Sequence, residues 1–361
     1  MKKFVAFVPP LLLLAFVVLC RISPMVAQLY VEQCYPVTAR VLSCVASVTT
    51  VSIDEATFLL AGLWLLALIV CWCCRRLCLT RFLYMFGVSV LWIYVWFYMA
   101  WGNNYFHSHI YTRAGVTAVA YDDSLFQRFA YQFADSLNAV YTVADTVDTD
   151  SVAAEVTQYY RHIPPSMGLL APSECRKPKT LLLNRIYTSV GVLGFMGPLF
   201  NEFHLNADLL PQQYPFTYAH ELSHTLGVTN EAEANYWAFC ACDASSVQAV
   251  RYSGYLAMFP YVVGNAYRTL PPATFDDWMR RIPAGVVSDY ERQRRFWDER
   301  YSAVLGAVQN YVYHLYLKGN NIPSGTRNYA EVVQLLLSLP SPFTPRHDSF
   351  PSGRSFPHSQ Q

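Results

Sequence analysis

His220, Glu221 and His224 stand together as His220-Glu221-Leu222-Ser223-His224, the pattern in this chain with the most specific chemistry. On a helix, residues four apart lie one turn above another on one face, so both imidazoles reach a single metal ion, with Zn–N bonds of about 2.0–2.1 Å. Glu221 projects about 100° away on the same helix. It then stands beside the ion without binding it, where a general base takes a proton from metal-bound water. The pattern implies Zn²⁺ as cofactor, His220 and His224 as ligands and Glu221 as the catalytic carboxylate. As a surface feature it would be an ordinary polar helix face, but Phe216, Leu222, Leu226 and Val228 flank it and argue for burial, where unpaired histidines and carboxylates are costly.

A third ligand is expected just downstream. Gly227 suits the end of the helix, Thr229 or Asn230 caps a new one, and Glu231 falls in its first turn. Glu233 is the alternative, but two residues along a helix rotate a side chain by about 200°, so the two carboxylates cannot share one ion. Glu231 is the expected ligand. Asn235, four residues beyond it on the same face, is the expected hydrogen-bond partner of a ligand histidine, similar to the ligand Glu and downstream Asp of gluzincins. Upstream, Gly194-Phe195-Met196-Gly197-Pro198 and Glu202 read equally as a plain structural strand or as an edge strand holding an extended peptide. On the second reading Gly194, Phe195, Met196 and Glu202 bind substrate. Tyr252, Tyr255 and His204 are candidates to stabilise an oxyanion.

The rest of the chain must position this unit. Of 361 residues, 53% are hydrophobic and 14% charged, too apolar for an ordinary soluble enzyme, and the net charge of +1 offers no surface for nucleic acid. Three segments are apolar enough to cross about 30 Å of hydrocarbon: about 4–21, 56–74 and 82–101. Lys2 and Lys3 precede the first, and Arg75, Arg76 and Arg81 lie between the second and third. Positive charge stays in the cytoplasm. The chain is therefore expected in the cytoplasmic (inner) membrane, N-terminus inside, with the loop from about Arg21 to Glu55 and everything after Trp101 extracytoplasmic. In that loop a Cys34–Cys44 disulfide is chemically permitted. Cys71, Cys73, Cys74 and Cys78 lack the separated knuckles of a zinc ribbon.

The expected fold is mainly α with a small β element: transmembrane helices followed by a zincin-like α+β metallopeptidase domain. Residues 1–102 form the anchor, 103–178 a helical connector, 179–340 the catalytic domain and 341–361 a disordered tail rich in Pro, Ser and Gly. Phe126, Phe129, Phe133 and Leu137 recur at helical spacing in the connector. Ser288 to Leu317 reads as helix, its stripe of Phe296, Tyr301, Leu305 and Val308 as ordinary core.

The chain also resembles a family of uncharacterised multi-pass bacterial membrane proteins, a domain of unknown function with a zincin-like HExxH…ExEAN signature. The resemblance rests on Trp101-Gly102-Asn103-Asn104-Tyr105, Gly194 to Asn206, and Pro215-Phe216-Thr217 leading into His220-Glu221. It continues through Gly227, Glu231-Ala232-Glu233-Ala234-Asn235 and Tyr316-Leu317-Lys318-Gly319-Asn320. Members commonly carry Gln after the second histidine, where this chain has Thr225. The resemblance implies an anchored metallopeptidase-like domain and supplies no substrate. The residues themselves lead to a membrane-anchored zinc metallohydrolase, with the lipid bilayer and a peptide or protein substrate as partners. The competing expectation is a non-catalytic, zinc-stabilised envelope scaffold. An intramembrane protease fits less well, because no span-length apolar run surrounds the motif.

Overall fold

A computed structural model describes residues 5–339 other than 121, 144, 174, 175, 321 and 323–330. The expected tail, 341–361, lies outside the described residues. The described residues are mainly helical, with one two-stranded sheet among them.

Helix α1 (Val8–Ile22) ends at Ser23, whose side chain caps α2 (Pro24–Leu29). A π-helical turn over Tyr30–Cys34 then leads into α3 (Tyr35–Ala46). Pro24 has no N–H to continue the bonding of α1 but suits a first helical turn, so the chain breaks there and restarts. The new run leaves α1 at 112°. The segment expected as an outer loop is therefore helix, its buried face formed by Ala27, Tyr30, Tyr35, Ala39, Leu42 and Ala46. Cys34 and Cys44 are not joined. Ten residues of helix separate them by about 15 Å, well beyond the reach of a disulfide.

Among the described residues two helices are long and apolar enough to cross a membrane, α4 (Ile53–Cys73) and α5 (Leu79–Ala100), and the bent pair Val8–Ile22 with Pro24–Ala46 adds a third if it counts as one span. α4 and α5 form a hairpin joined by a Trp64–Ser89 hydrogen bond and a Trp72–Phe82 stack. Arg75 and Arg76 sit at its tip. Phe7 meets Tyr84 near the start of α5, while Arg21 lies over Phe106 beyond its end, so α1 and α5 run in the same direction.

Carboxylates join this hairpin to the rest of the protein. Asp54 accepts from Leu199 N at 2.8 Å and Phe200 N at 3.1 Å, and Glu55 from Leu182 N at 2.6 Å and Leu183 N at 3.2 Å. In return Glu202 accepts from Ile53 N at 3.0 Å, satisfying an amide at the first turn of α4 that has no partner within the helix. Leu199 and Phe200 belong to the turn between β1 (Gly194–Gly197) and β2 (Glu202–Leu205), antiparallel strands paired Gly194↔Leu205 through Gly197↔Glu202. The head of one span thus fixes the hairpin turn.

Beyond α5 come α6 (Ile110–Arg113), α7 (Asp123–Val140), α8 (Thr149–Arg161) and α9 (Asn184–Ser189). After the sheet follow α10 (Tyr214–Thr225), α11 (Glu231–Asp243), α12 (Gln248–Thr269) and α13 (Pro272–Arg281). The last are α14 (Ala284–Asp298), α15 (Ala303–Gly319) and α16 (Val332–Ser338). Helices α7 and α8, expected as a connector, share one core with α10, α11, α12 and α16: Phe133 packs on Tyr255, and the Tyr160 hydroxyl donates to Ala219 O at 2.9 Å. The helix expected over Ser288–Leu317 is broken after Asp298, and Ser302 starts a new one by accepting from Leu305 N. Leu305 and Val308, expected in the core, are 48% and 60% exposed.

Asp54→Ala leaves one buried and one partly buried amide without their acceptor, a loss of about 2–3 kcal/mol at the usual cost per unsatisfied group. Denaturant unfolding of the full chain in detergent is expected to show it; an unchanged midpoint would mean that this joint does not stabilise the fold.

Candidate metal centre

Helix α10 is buried from Thr217 to Thr225, polar residues included. Ser223 and Thr225 return their hydroxyls to the carbonyls of His220 and Leu222, both at 2.7 Å, while the two histidines and Glu221 turn toward other elements. The helix ends at Gly227, whose φ of +105° an L side chain rarely adopts. Asn230 then starts α11 by accepting from Glu233 N at 2.9 Å, so Glu231 stands in the first turn beside the two rings.

The structure brings His220, His224 and Glu231 together. His220 Nε2 and His224 Nε2 are 3.1 Å apart, and Glu231 Oε2 lies 3.2 Å from the first and 3.4 Å from the second. A tetrahedral ion with bonds of about 2.0–2.1 Å needs ligand atoms about 3.3–3.4 Å apart. The three atoms already describe such a face, and the imidazole and carboxylate donors suit zinc. His224 Nδ1 bonds Val228 O at 2.7 Å, which fixes the proton on Nδ1 and leaves Nε2 for a metal. Burial opposes charge on His224, but the Glu231 carboxylate more than offsets this and raises the ring pKa to about 9. Burial likewise opposes charge on Glu231, and the two histidines hold it well below the usual carboxylate range.

Glu233 is engaged elsewhere: Arg113 pairs with it at 2.5 Å and Trp237 Nε1 donates to it at 3.1 Å. Asn235 lines the cleft, but its Nδ2 has no partner among the described residues and no Asn235–histidine bond forms; Tyr261 is the side chain that interacts with it. Glu231 is instead held by Tyr313 of α15, whose hydroxyl donates to Oε1 at 2.5 Å.

Glu221 lies against Gly194 of β1. A Cβ there would meet Glu221 Cγ at 2.7 Å and His204 O at 2.7 Å, so only glycine allows strand and carboxylate to approach this closely. Burial pushes the Glu221 pKa up; His220 and His224 pull it down, and Glu231 adds to the rise. A cleft of about 530 Å³ opens at this point, lined by Gly194, Phe216, His220, Glu221, Tyr261 and Tyr313 among others.

Other expected contacts fall outside the cleft. Glu202 is turned to α4 and to His204, at 3.2 Å, and so does not face a substrate. Phe195 stacks on His204 and on Tyr187, and Met196 packs beside the aromatic cluster of Tyr30 and Tyr35. Tyr252 donates to Asp289 at 2.6 Å and Tyr255 to Asp243 at 2.8 Å, while His204 is occupied by Ser52 at 2.7 Å. None of the three is offered to an oxyanion.

The anchor completes the centre. Trp101, the residue after α5, donates its indole N–H to His224 O at 2.8 Å, and Tyr35 of α3 donates to Thr225 O at 2.8 Å. These carbonyls end α10, where helical partners run out; His224 O also accepts from Gly227 N at 3.1 Å in the turn that follows. The fold is thus that of a helical protein with two or three helices able to span a membrane and a buried His-His-Glu cluster seated against them. The chain belongs to the family described as "Protein of unknown function (DUF3810)", which matches residues 30–337. No curated protein and no solved structure matches it.

Tyr313→Phe removes the donor that orients Glu231. Competition with a chromophoric chelator is expected to show divalent-metal affinity reduced about tenfold with helical content unchanged; equal affinity would mean that Tyr313 does not orient the ligand.

Proposed function

We propose that this protein is a membrane-anchored, zinc-dependent metallohydrolase of zincin type, acting as a peptidase on the extracytoplasmic side. The observation that carries the reading is the three-atom face of His220, His224 and Glu231 with Glu221 beside it, unbonded to the cluster and facing the cleft. Zinc held there supplies a Lewis acid and a water of lowered pKa. Glu221, its pKa raised by burial, takes the proton from water and returns it to the leaving nitrogen. Tyr313 keeps Glu231 in place and His224 is locked in one tautomer by Val228, so the ligand atoms need little rearrangement.

Strand β1 supports the choice of a peptide. Its partner β2 covers one edge, and among the described residues no strand pairs with the other. Gly191 to Leu193, which lead into β1, and Gly194 at its start line the cleft, and an extended chain bound there would run past Glu221. The side of the membrane follows from charge: the arginine-bearing tip of the α4–α5 hairpin lies at the opposite end from Trp101, and with that tip in the cytoplasm the cleft faces outward.

Glu221→Gln is expected to bind zinc as the wild type does and to lose peptide hydrolysis by about 10²-fold or more, read with a quenched-fluorescence peptide library on protein in detergent. Retained hydrolysis in the zinc-loaded variant would sink the mechanism. If zinc raises the melting temperature while wild type cuts nothing, the scaffold reading replaces it.

A further inference from the structure

Helix α15 has no charged residue from Ala303 to Leu317. Its inner face carries Tyr313 to Glu231 and Tyr316 to Tyr105. Its outer face carries Val304, Val308, Tyr311, Val312 and Leu315, each between 51% and 75% exposed. Helix α3 shows a similar division: Tyr35, Ala39, Leu42 and Ala46 are buried, while Val37, Val41 and Val45, with Val48 just past its end, are 48% to 86% exposed, and the exposed Arg40 is its one charged residue. Apolar stripes of this length on an outer helix face mark a contact with something apolar.

Position identifies the contact. α3 lies between the end of α1 and the start of α4, and on its N-terminal side the Tyr30 hydroxyl donates to Met99 O at 3.0 Å in the last turn of α5. At the start of α15, Ser302 N donates to Ser189 O at 2.7 Å at the end of α9, just after the Leu182–Leu183 amides that Glu55 of α4 holds. At its other end Asn320 accepts from Tyr98 at 2.7 Å, and Tyr316 packs on Phe97. Both helices are therefore pinned at the level where α4 begins and α5 ends, the level at which spans meet water.

We propose that α3 and α15 lie in the interfacial layer of the bilayer, their valine-rich outer faces among the acyl chains, as a collar around the mouth of the cleft. Helices of this kind rest in the plane of the membrane with the apolar side sunk about 5–10 Å. Tyr313 and Tyr35 are on the opposite faces of the same helices, so about one helix diameter, 10–12 Å, separates lipid from the metal centre. Resting on the peptidase reading, the substrate class follows: a polypeptide segment tethered to that leaflet, presented within a few residues of its own membrane span.

The test uses the full chain in lipid nanodiscs with p-benzoylphenylalanine placed, in separate proteins, at Val312, Val308 and Val41. Leu63 on the outer side of α4 serves as lipid-facing control and Arg294 as water-facing control. Lipid adducts at the three sites, at yields comparable with Leu63, are expected by mass spectrometry. Crosslinked dimers would show that a second copy covers these faces, and yields as low as at Arg294 would leave them in water; either overturns the collar. In a second arm, a reporter peptide fused to a single span and incorporated into the same nanodiscs is expected to be cut about tenfold or more faster than the free peptide at equal bulk concentration. Equal rates overturn the substrate assignment. Adducts without hydrolysis of either peptide would remove the hydrolase reading and leave the collar standing.

Discussion

Burying the Glu231 carboxylate among helices costs several kcal/mol unless its charge is met at short range, and much of the architecture serves that requirement. Glu231 is 4% exposed, and His220, His224 and Tyr313 are among the groups that meet it. Each must arrive from a different direction. The histidines come from α10, Glu231 from the first turn of α11 and Tyr313 from α15, so three helices are fixed relative to one another by one carboxylate. The Gly227 turn and the Asn230 cap are the local devices that let α11 start where α10 stops. A dication would satisfy all three ligands at once, and their spacing already matches the edges it requires.

The same centre is tied to the membrane. The last carbonyls of α10 are bonded by Trp101 and Tyr35, residues of the anchor, and the hairpin turn that carries β1 toward Glu221 hangs on Asp54 at the head of α4. Anchor and site are consequently one packed unit. Movement of α5 relative to α4 would be felt at both sides of the cleft, through Trp101 on the ligand helix and through Asp54 on the strand.

Much of this was legible in the sequence because the governing periodicities are short. His220 and His224 are four residues apart, and Gly227 and Asn230 announce the turn that delivers Glu231. α4 and α5 declare themselves by length and hydropathy. What escaped depended on distance along the chain: Tyr313 lies 82 residues beyond Glu231, and nothing in Tyr311-Val312-Tyr313 says which hydroxyl turns inward. Glu202 and His204 looked available because their partners, Ile53 and Ser52, lie about 150 residues away. The Arg21–Glu55 segment was read as a loop although Val37, Val41, Val45 and Val48 recur at helical spacing, and Pro24 and Pro36 each occupy a first-turn position where proline is accepted. Leu305 and Val308 were expected in the core because apolar periodicity alone does not say whether a helix face is packed on protein or left exposed.

The central claim is the three-ligand centre, and metal content tests it most directly. Full-length wild type, His220→Ala and Glu231→Ala would be purified side by side in mild detergent and assayed for bound metal, with circular dichroism to confirm folding. The account predicts about one zinc per wild-type chain, and its loss from both variants while they remain helical. Equal zinc in all three proteins would contradict it.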